Sequence, residues 1–172
     1  MQIKDWFSRK FDFERSGEVF PGTLERLRGT PVRLEELVKT IPPELLTKRI
    51  EEKWSIQEQV GHLGDIEELH LGRLDDYLAR SKAVRPADSA NLKTKGANHN
   101  CNSIQTLLTA FRSARLQLVT SLENMAGDLL EFYSLHPRLQ VQMRPLDMAF
   151  FAAEHDEHHL AKITETYRSL TK

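Results

Sequence analysis

Two histidines near the carboxyl end of the chain have the spacing with which one helix can bind a metal ion through two side chains. His155 and His159 are four residues apart, which places them about 40° apart around a helix axis and about 6 Å apart along it. Met148 and Ala152 lie within about 20° of His159 in the same projection, so this histidine belongs to an apolar stripe. His158 is rotated by about 100° to the edge of that stripe, where it would support the site or face solvent.

A third histidine, His62, projects from the apolar face of another predicted helix. Counted at about 100° per residue, the same face carries Ile66, Leu69 and Tyr77. Helical bundles build metal sites from side chains that project inward from facing helices. His70 lies about 12 Å further along the same helix, too far to share an ion with His62. We therefore predict one divalent metal site with His62, His155 and His159 as its ligands.

Three imidazoles would leave one coordination position open for water or substrate, as in catalytic rather than structural metal sites. Nitrogen ligands suit Zn, Ni, Fe, Co or Cu and do not distinguish among them. The single cysteine, Cys101, excludes an internal disulfide and a thiolate-rich zinc site. Asp65, Glu154 and Glu157 are candidate acceptors for the second ring nitrogens of the ligands. Asp156 stands where metalloproteases place their catalytic glutamate, which disfavours peptide hydrolysis.

The first two helices are predicted from apolar periodicity and capping signals. Apolar residues recur every three or four positions over residues 24–41. Because proline lacks an N–H and crowds the preceding turn, we expect a kink or restart at Gly29-Thr30-Pro31, with Thr30 as the cap. Pro42-Pro43 should end this helix. The Ser-x-x-Glu pattern of Ser55 and Glu58 predicts the start of the second helix.

Two further helices complete the predicted fold. Residues 81–102 lack periodicity and should form a long crossover loop that could cover a site. The third helix is predicted over 103–125, and the fourth from Pro145, a favoured first-turn residue, to Leu170. No alternating strand pattern is evident. The prediction is an all-α four-helix bundle in a single domain over 1–172, divided into an N-terminal extension at 1–19 and the bundle at 20–170.

Composition narrows the functional classes. The chain has 172 residues, 40% of them apolar, with 24 Lys and Arg against 25 Asp and Glu. This near-zero net charge argues against a nucleic-acid partner. No apolar run approaches the roughly 18 residues of a membrane-spanning helix, and the N-terminus does not resemble a signal peptide. We expect a cytoplasmic protein with no membrane contact.

Four other residues have two interpretations each. Arg115 in the third helix could contact an anionic substrate, but long basic side chains more often lie along apolar surface with the charge in water. Trp6 and Trp54 could line a ligand pocket, although large aromatic residues more often simply pack. Cys101 lacks a recognisable neighbouring base, which disfavours a role as nucleophile.

Three segments resemble the DinB superfamily, including its YfiT-like members. They are Trp54-Ser55-Ile56, Val60-Gly61-His62-Leu63 and residues 154–163, EHDEHHLAKI. The resemblance spans residues about 20 to 170 and implies a four-helix bundle. It also implies a divalent metal held by one histidine of the second helix and an HxxxH pair of the last, which correspond to His62, His155 and His159. Lys162 departs from the family, in which a glutamine is common at that place.

The resemblance implies a range of activities rather than one. It includes metal-dependent transferases and isomerases that use low-molecular-weight thiols, and hydrolases. We expect a metal-dependent thiol S-transferase acting on a small-molecule electrophile. The alternatives are a metal-dependent hydrolase, a non-catalytic stress-response or binding module stabilised by metal, and a helical adaptor without metal. Family members are often dimers, and the aromatic residues Trp6, Phe7, Phe11 and Phe13 could pack on the bundle or on a partner in a homodimer.

Overall fold

Four long helices form the body of the molecule. In the computed structural model, the structure is described for residues 3–14 and 16–172. The long helices are α1 (Ser16–Lys39), α2 (Ile56–Leu78), α4 (Ile104–Glu123) and α6 (Pro145–Leu170); α3 (Leu92–Gly96) and α5 (Gly127–Leu130) are short. Helices α1 and α2 each pack against both α4 and α6, so consecutive helices α1 and α2 lie diagonally across the bundle. This arrangement makes α2 and α6, which carry the three histidines, direct neighbours.

The predicted helix starts are confirmed for the second, third and fourth long helices. The Ser55 hydroxyl accepts a hydrogen bond from the Glu58 N–H, and the Glu58 carboxylate accepts one from the Ser55 N–H. Ser103 caps α4 by accepting from the Thr106 N–H. Helix α6 begins at Pro145, as its fixed φ and missing N–H favour.

Helix α1 is longer than predicted and has no restart at Pro31. It begins at Ser16 rather than 24 and continues through Pro21 and Pro31 to Lys39. Proline at position 31 cannot donate to the carbonyl oxygen of Leu27, one turn earlier. That oxygen instead accepts a hydrogen bond of 3.3 Å from Nη1 of Arg115 on α4. Tertiary contact therefore compensates for the missing donor, and Thr30 lies inside a helix rather than capping one.

A second difference is a small β-hairpin where no strand was expected. Strands β1 (Ser134–His136) and β2 (Val141–Met143) pair antiparallel between α5 and α6. Each strand has only three residues, which is too short for an alternating pattern to be recognisable in the sequence. The hairpin matters because it carries His136 beside the cavity described below.

One polar layer separates two apolar clusters in the bundle core. One cluster includes Leu34, Val60, Leu63, Phe111 and Ile163, and the other includes Leu27, Leu74, Tyr77, Leu118 and Ala152. The long helices each contribute to this layer, through Thr30, Glu67, Arg115 and Asp156. Buried polar groups of this kind must satisfy one another. Arg115 pairs with Glu67 and Asp156, and the Thr30 hydroxyl donates to Asp156 Oδ2 at 2.8 Å.

The N-terminal segment packs on the bundle. Trp6, Phe11 and Phe13 contact the second apolar cluster, whereas Phe7 remains 54% exposed. The ring centroid of Trp6 lies 5.0 Å from those of Phe11 and Phe151. Of the two interpretations of this segment, packing on the bundle is the one that the structure shows. Within residues 3–14 and 16–172, no helix is both long and apolar enough to cross a bilayer.

Candidate metal centre

The three predicted histidines converge at one point between α2 and α6. Nε2 of His155 lies 3.4 Å from Nε2 of His62 and 3.1 Å from Nε2 of His159. One ring nitrogen of each residue lies within 4.8 Å of those of the other two, and all three side chains are buried. These three residues could therefore hold a metal ion, although their role as ligands stays a prediction.

Hydrogen bonds set which nitrogen of His62 and His159 carries the proton. Nδ1 of His159 lies 2.5 Å from the side-chain oxygen of Gln59, which can only accept, so the proton is on Nδ1. The Thr94 hydroxyl donates to Asp65 Oδ2 at 2.8 Å and accepts from His62 Nδ1 at 3.0 Å. In the neutral rings, both Nε2 atoms therefore present lone pairs to each other and to His155. A proton on Nε2 of His155 could satisfy only one of these two lone pairs at a time, whereas a cation at this point could accept the lone pairs of all three rings, which is the donor arrangement that a metal requires.

Burial keeps these rings neutral at physiological pH. Burial lowers the pKa of His62 to about 4, assisted by the neighbouring histidines and opposed by Asp65. Burial, together with the adjacent imidazoles, also lowers the pKa of His155 and His159 well below the usual value. A metal binds neutral imidazole, so these three histidines need not lose a proton to bind one.

The crossover loop supplies the second layer of the site. His99 Nε2 lies 2.8 Å from Asp65 Oδ2, the carboxylate oxygen that also accepts from Thr94. The His99 ring lies so close to α2 that a Cβ at Gly61 would be 2.2 Å from its Cγ. Only glycine at position 61 permits this approach. The loop therefore covers the site, as expected, and orients His62 through Thr94.

Of the three predicted acceptors, only Asp65 lies at the site. Asp65 reaches His62 through Thr94 rather than directly. Glu154 and Glu157 pair instead with Arg26, and Glu154 also with Arg9, on the far side of α6. Two residues that hydrogen-bond to the clustered histidines, Gln59 and Thr94, were not predicted. Gln59 precedes His62 by three residues and so shares its helix face, which is a usable signal. Thr94 lies in the short helix α3, within a segment whose sequence shows no periodicity.

Removing either of these contacts should weaken metal binding without abolishing it. We expect Thr94→Val and Gln59→Leu each to lower zinc affinity by roughly 10- to 100-fold, because the ligand ring loses the partner that fixes its orientation. Competition with a chromophoric chelator measures the affinity. Thr106→Val, in the first turn of α4, is the matched control and should leave it unchanged. If all three variants bound zinc with the same affinity, Thr94 and Gln59 would have no role in orienting the histidines.

The histidine cluster forms part of the wall of a cavity of about 240 Å³. Trp54 and Trp6 both line this cavity, and Trp6 also packs on the bundle, so its two interpretations hold together. The Trp54 ring lies 4.7 Å from His62, and the Trp6 ring lies 5.0 Å from His155, measured between centroids. Ile66, Leu69 and Phe151 add further apolar surface. A small, partly aromatic molecule could enter this space and reach the three histidines.

Other sequence candidates lie around the cluster rather than in it. His158 is half-buried and contacts the rings of Trp6 and His159 from the side. His70 lines the cavity while its Nδ1 donates to Glu67. Lys162 also lines the cavity, and its Nζ donates to Glu165 at 3.0 Å. Cys101 is exposed and accepts from the Asn98 amide, outside the cavity wall.

Arg115 is placed differently from either interpretation. It is 1% exposed and is not part of the cavity wall, so the predicted substrate contact is unsupported and the predicted solvation of its charge is wrong. Its guanidinium donates to both oxygens of Glu67, at 2.6 and 3.0 Å, and to both oxygens of Asp156. Burial raises the pKa of Glu67, but Arg115 and His70 outweigh it and lower that pKa to about 2. Arg115 therefore fixes α2, α4 and α6 relative to one another.

Comparison with known proteins supports this description. YfiT from Bacillus subtilis, described as a probable metal-dependent hydrolase with an unusual four-helix bundle topology, has a similar solved structure. The TM-score is 0.79 at 19% sequence identity, over 95% of this chain and 94% of that one, which shows a shared fold. No curated protein matches the chain in sequence. The family model of the DinB superfamily matches residues 26–163, well over half of the sequence. The chain belongs to the DinB superfamily.

Proposed function

We propose that this protein is a metal-dependent enzyme that transfers a low-molecular-weight thiol to a small electrophile. The observation that carries the proposal is the convergence of three buried, neutral imidazoles in the wall of an apolar cavity. A divalent cation held by His62, His155 and His159 would supply Lewis acidity and lower the pKa of a thiol at its open position. Zinc, nickel and iron all suit this donor set.

The charge of the donor set favours an anionic ligand at the open coordination position. Three neutral imidazoles leave the full charge of a divalent cation uncompensated, unlike a site with a carboxylate ligand. A thiolate would offset that charge. Trp6, Trp54 and Phe151 restrict solvent around the cluster. These side chains favour transfer to a carbon electrophile over competing attack by water.

Hydrolysis is the second candidate. The description of the fold neighbour YfiT as a probable metal-dependent hydrolase supports it. A hydrolase would need a group that accepts the proton of the attacking water. The carboxylates in the described cavity wall belong to Asp5 and Asp88, and neither hydrogen-bonds to any of the three histidines. His70, whose Nδ1 donates to Glu67, and His158 also line the cavity, and an imidazole there could accept that proton. Hydrolysis therefore stays the second candidate, and the charge of the donor set is what favours thiol transfer.

Elemental analysis followed by a paired substrate screen tests the proposal. The purified protein should contain about one zinc, nickel or iron atom per chain. Glutathione, cysteine and coenzyme A should each be tested with 1-chloro-2,4-dinitrobenzene, and p-nitrophenyl acetate should report hydrolysis. Metal-dependent thioether formation, absent with S-methylglutathione, supports the transferase. Ester cleavage alone supports the hydrolase. Bound metal that raises the melting temperature without turnover indicates a binding module, and a metal-free protein indicates an adaptor.

A further inference from the structure

A second group of cavity residues carries positive charge that no ion pair with a described residue neutralises. Arg73 of α2 lines the cavity wall and is only 2% exposed. Its Nε donates to the carbonyl oxygen of Arg85 at 3.1 Å, and its Nη1 lies 3.6 Å from the sulfur of Met148. Its Nη2 is buried and has no partner within the described residues. A buried guanidinium without a counter-ion is costly, so a structure that retains one has a use for it.

His136 of the β-hairpin presents a second donor without a partner. Its Nδ1 accepts a hydrogen bond of 3.2 Å from the Leu139 N–H, so in the neutral ring the proton lies on Nε2. Nε2 is buried and makes no hydrogen bond to any described residue. Burial, with the charges of Arg73 and Arg138, lowers the pKa of His136 to about 4. The ring is therefore neutral at pH 7 and is a donor adjacent to both arginines.

Arg138 completes the group. Its guanidinium lies between two aromatic rings, 5.2 Å from the centroid of Phe7 and 5.7 Å from that of Phe151. No ion pair joins Arg138 or Arg73 to a carboxylate among residues 3–14 and 16–172. The nearby Asp76 already forms a two-pronged pair with Arg85. The three residues thus offer hydrogen-bond donors and positive charge to the cavity, but no acceptor.

We propose that Arg73, His136 and Arg138 form a carboxylate-binding subsite for the substrate of this cavity. Guanidinium groups recognise a planar carboxylate through parallel N–H donors, and a neutral imidazole N–H can add a third. The inference rests on the proposed function and defines its substrate class. One of the two substrates is then a small organic acid with an apolar or aromatic middle. Its carboxylate binds at this subsite while its reactive end reaches His62, His155 and His159.

Burial of Arg73 is consistent with this role. Burial lowers the pKa of Arg73 to about 10, yet the group remains charged at pH 7. The surrounding surface of Phe151, Phe7 and Trp6 would exclude water from an ion pair between Arg73 and a bound carboxylate. In such surroundings a charge-assisted hydrogen bond contributes more than it would in solvent. The alternative is a water molecule that bridges the two unpartnered donors and has no function.

A matched pair of probes tests the subsite independently of metal and turnover. Phenylacetate and phenylacetamide have the same shape and differ in charge. We expect calorimetry on the full chain to show at least about 10-fold tighter binding of phenylacetate, from charge-assisted hydrogen bonds. The preference should appear in EDTA-treated protein and persist after zinc loading. Failure of the three histidines to bind metal would refute the proposed function and leave this preference intact.

Three variants locate the preference within the cavity. Arg73→Met should reduce it to near unity and should fold, because methionine replaces an unpaired buried charge beside Met148. Arg138→Met, at a less buried position, should lower it partially and provides the readout should Arg73→Met not fold. Lys162 lines another part of the cavity, and its charge is paired with Glu165. Lys162→Met should therefore retain the preference for phenylacetate. Equal binding of both probes, or a preference seen only in zinc-loaded protein, would overturn the proposal.

Discussion

Alanine at His62, His155 or His159 is expected to remove the bound metal from the purified protein and to abolish turnover at the same time. Each substitution deletes one of three converging Nε2 atoms and leaves two, which is too few for a stable mononuclear site. Loss of a residue that merely orients a ligand costs about 10- to 100-fold in affinity, so loss of a ligand must exceed that range. Metal content per chain, measured after dialysis against a weak chelator, gives the result directly.

His158→Ala is the matched control for this experiment. The residue belongs to the same helix, adjoins His159 in sequence and contacts its ring, but lies outside the convergent cluster. The variant should retain full metal content. Circular dichroism separates loss of metal from loss of fold. Full metal occupancy in the three ligand variants, or equal loss in His158→Ala, would refute the predicted site.

The convergence of the three histidines was accessible from sequence because helical periodicity is local. The angle between His155 and His159 follows from their spacing alone, and the apolar neighbours of His62 fix the face on which it lies. Convergence then requires only that α2 and α6 be neighbours, which they are. The resemblance to the DinB superfamily led to the same three residues by a separate route.

The surroundings of the site were not accessible in this way. Thr94 and His99 reach α2 from the crossover loop, and no periodic pattern indicates which loop residue contacts which helix. Asn98, with φ of 49°, turns the loop back in a left-handed conformation that asparagine tolerates. His136 approaches the cavity only because a six-residue pairing forms the hairpin. Such contacts join residues that are far apart in the chain, and a single sequence does not indicate which distant residues meet.

Pro31 and Arg115 share one explanation for why sequence reasoning failed. Considered locally, proline predicts a break in α1, and an arginine on an apolar face predicts a solvated charge. The structure joins these two exceptions, since Arg115 supplies the donor that Pro31 cannot supply to Leu27. Glu67 and Asp156 balance the charge of Arg115 from α2 and α6. Each residue departs from its local tendency because residues of other helices compensate.

Arg115→Met should therefore destabilise the fold by about 3–5 kcal/mol, as expected when one member of a buried ion network is removed. Methionine fills a similar volume, so the loss reflects charge rather than packing. The carboxylates of Glu67 and Asp156, which are essentially inaccessible to solvent, would lose their shared counter-ion. The carbonyl oxygen of Leu27 would also lose its donor, which adds the cost of an unsatisfied buried acceptor.

Urea unfolding at pH 7 measures this effect against a surface control from the same helix. Arg112 forms a two-pronged pair with Glu35, at 2.6 and 2.7 Å, but its side chain is 47% exposed. Arg112→Met should cost no more than about 1 kcal/mol, because water solvates the carboxylate that remains. Adding Glu67→Gln and Asp156→Asn to Arg115→Met should recover part of the loss, since neutral groups need no counter-ion. Equal free energies of unfolding for Arg115→Met and Arg112→Met would mean that the buried network contributes no more than a surface pair.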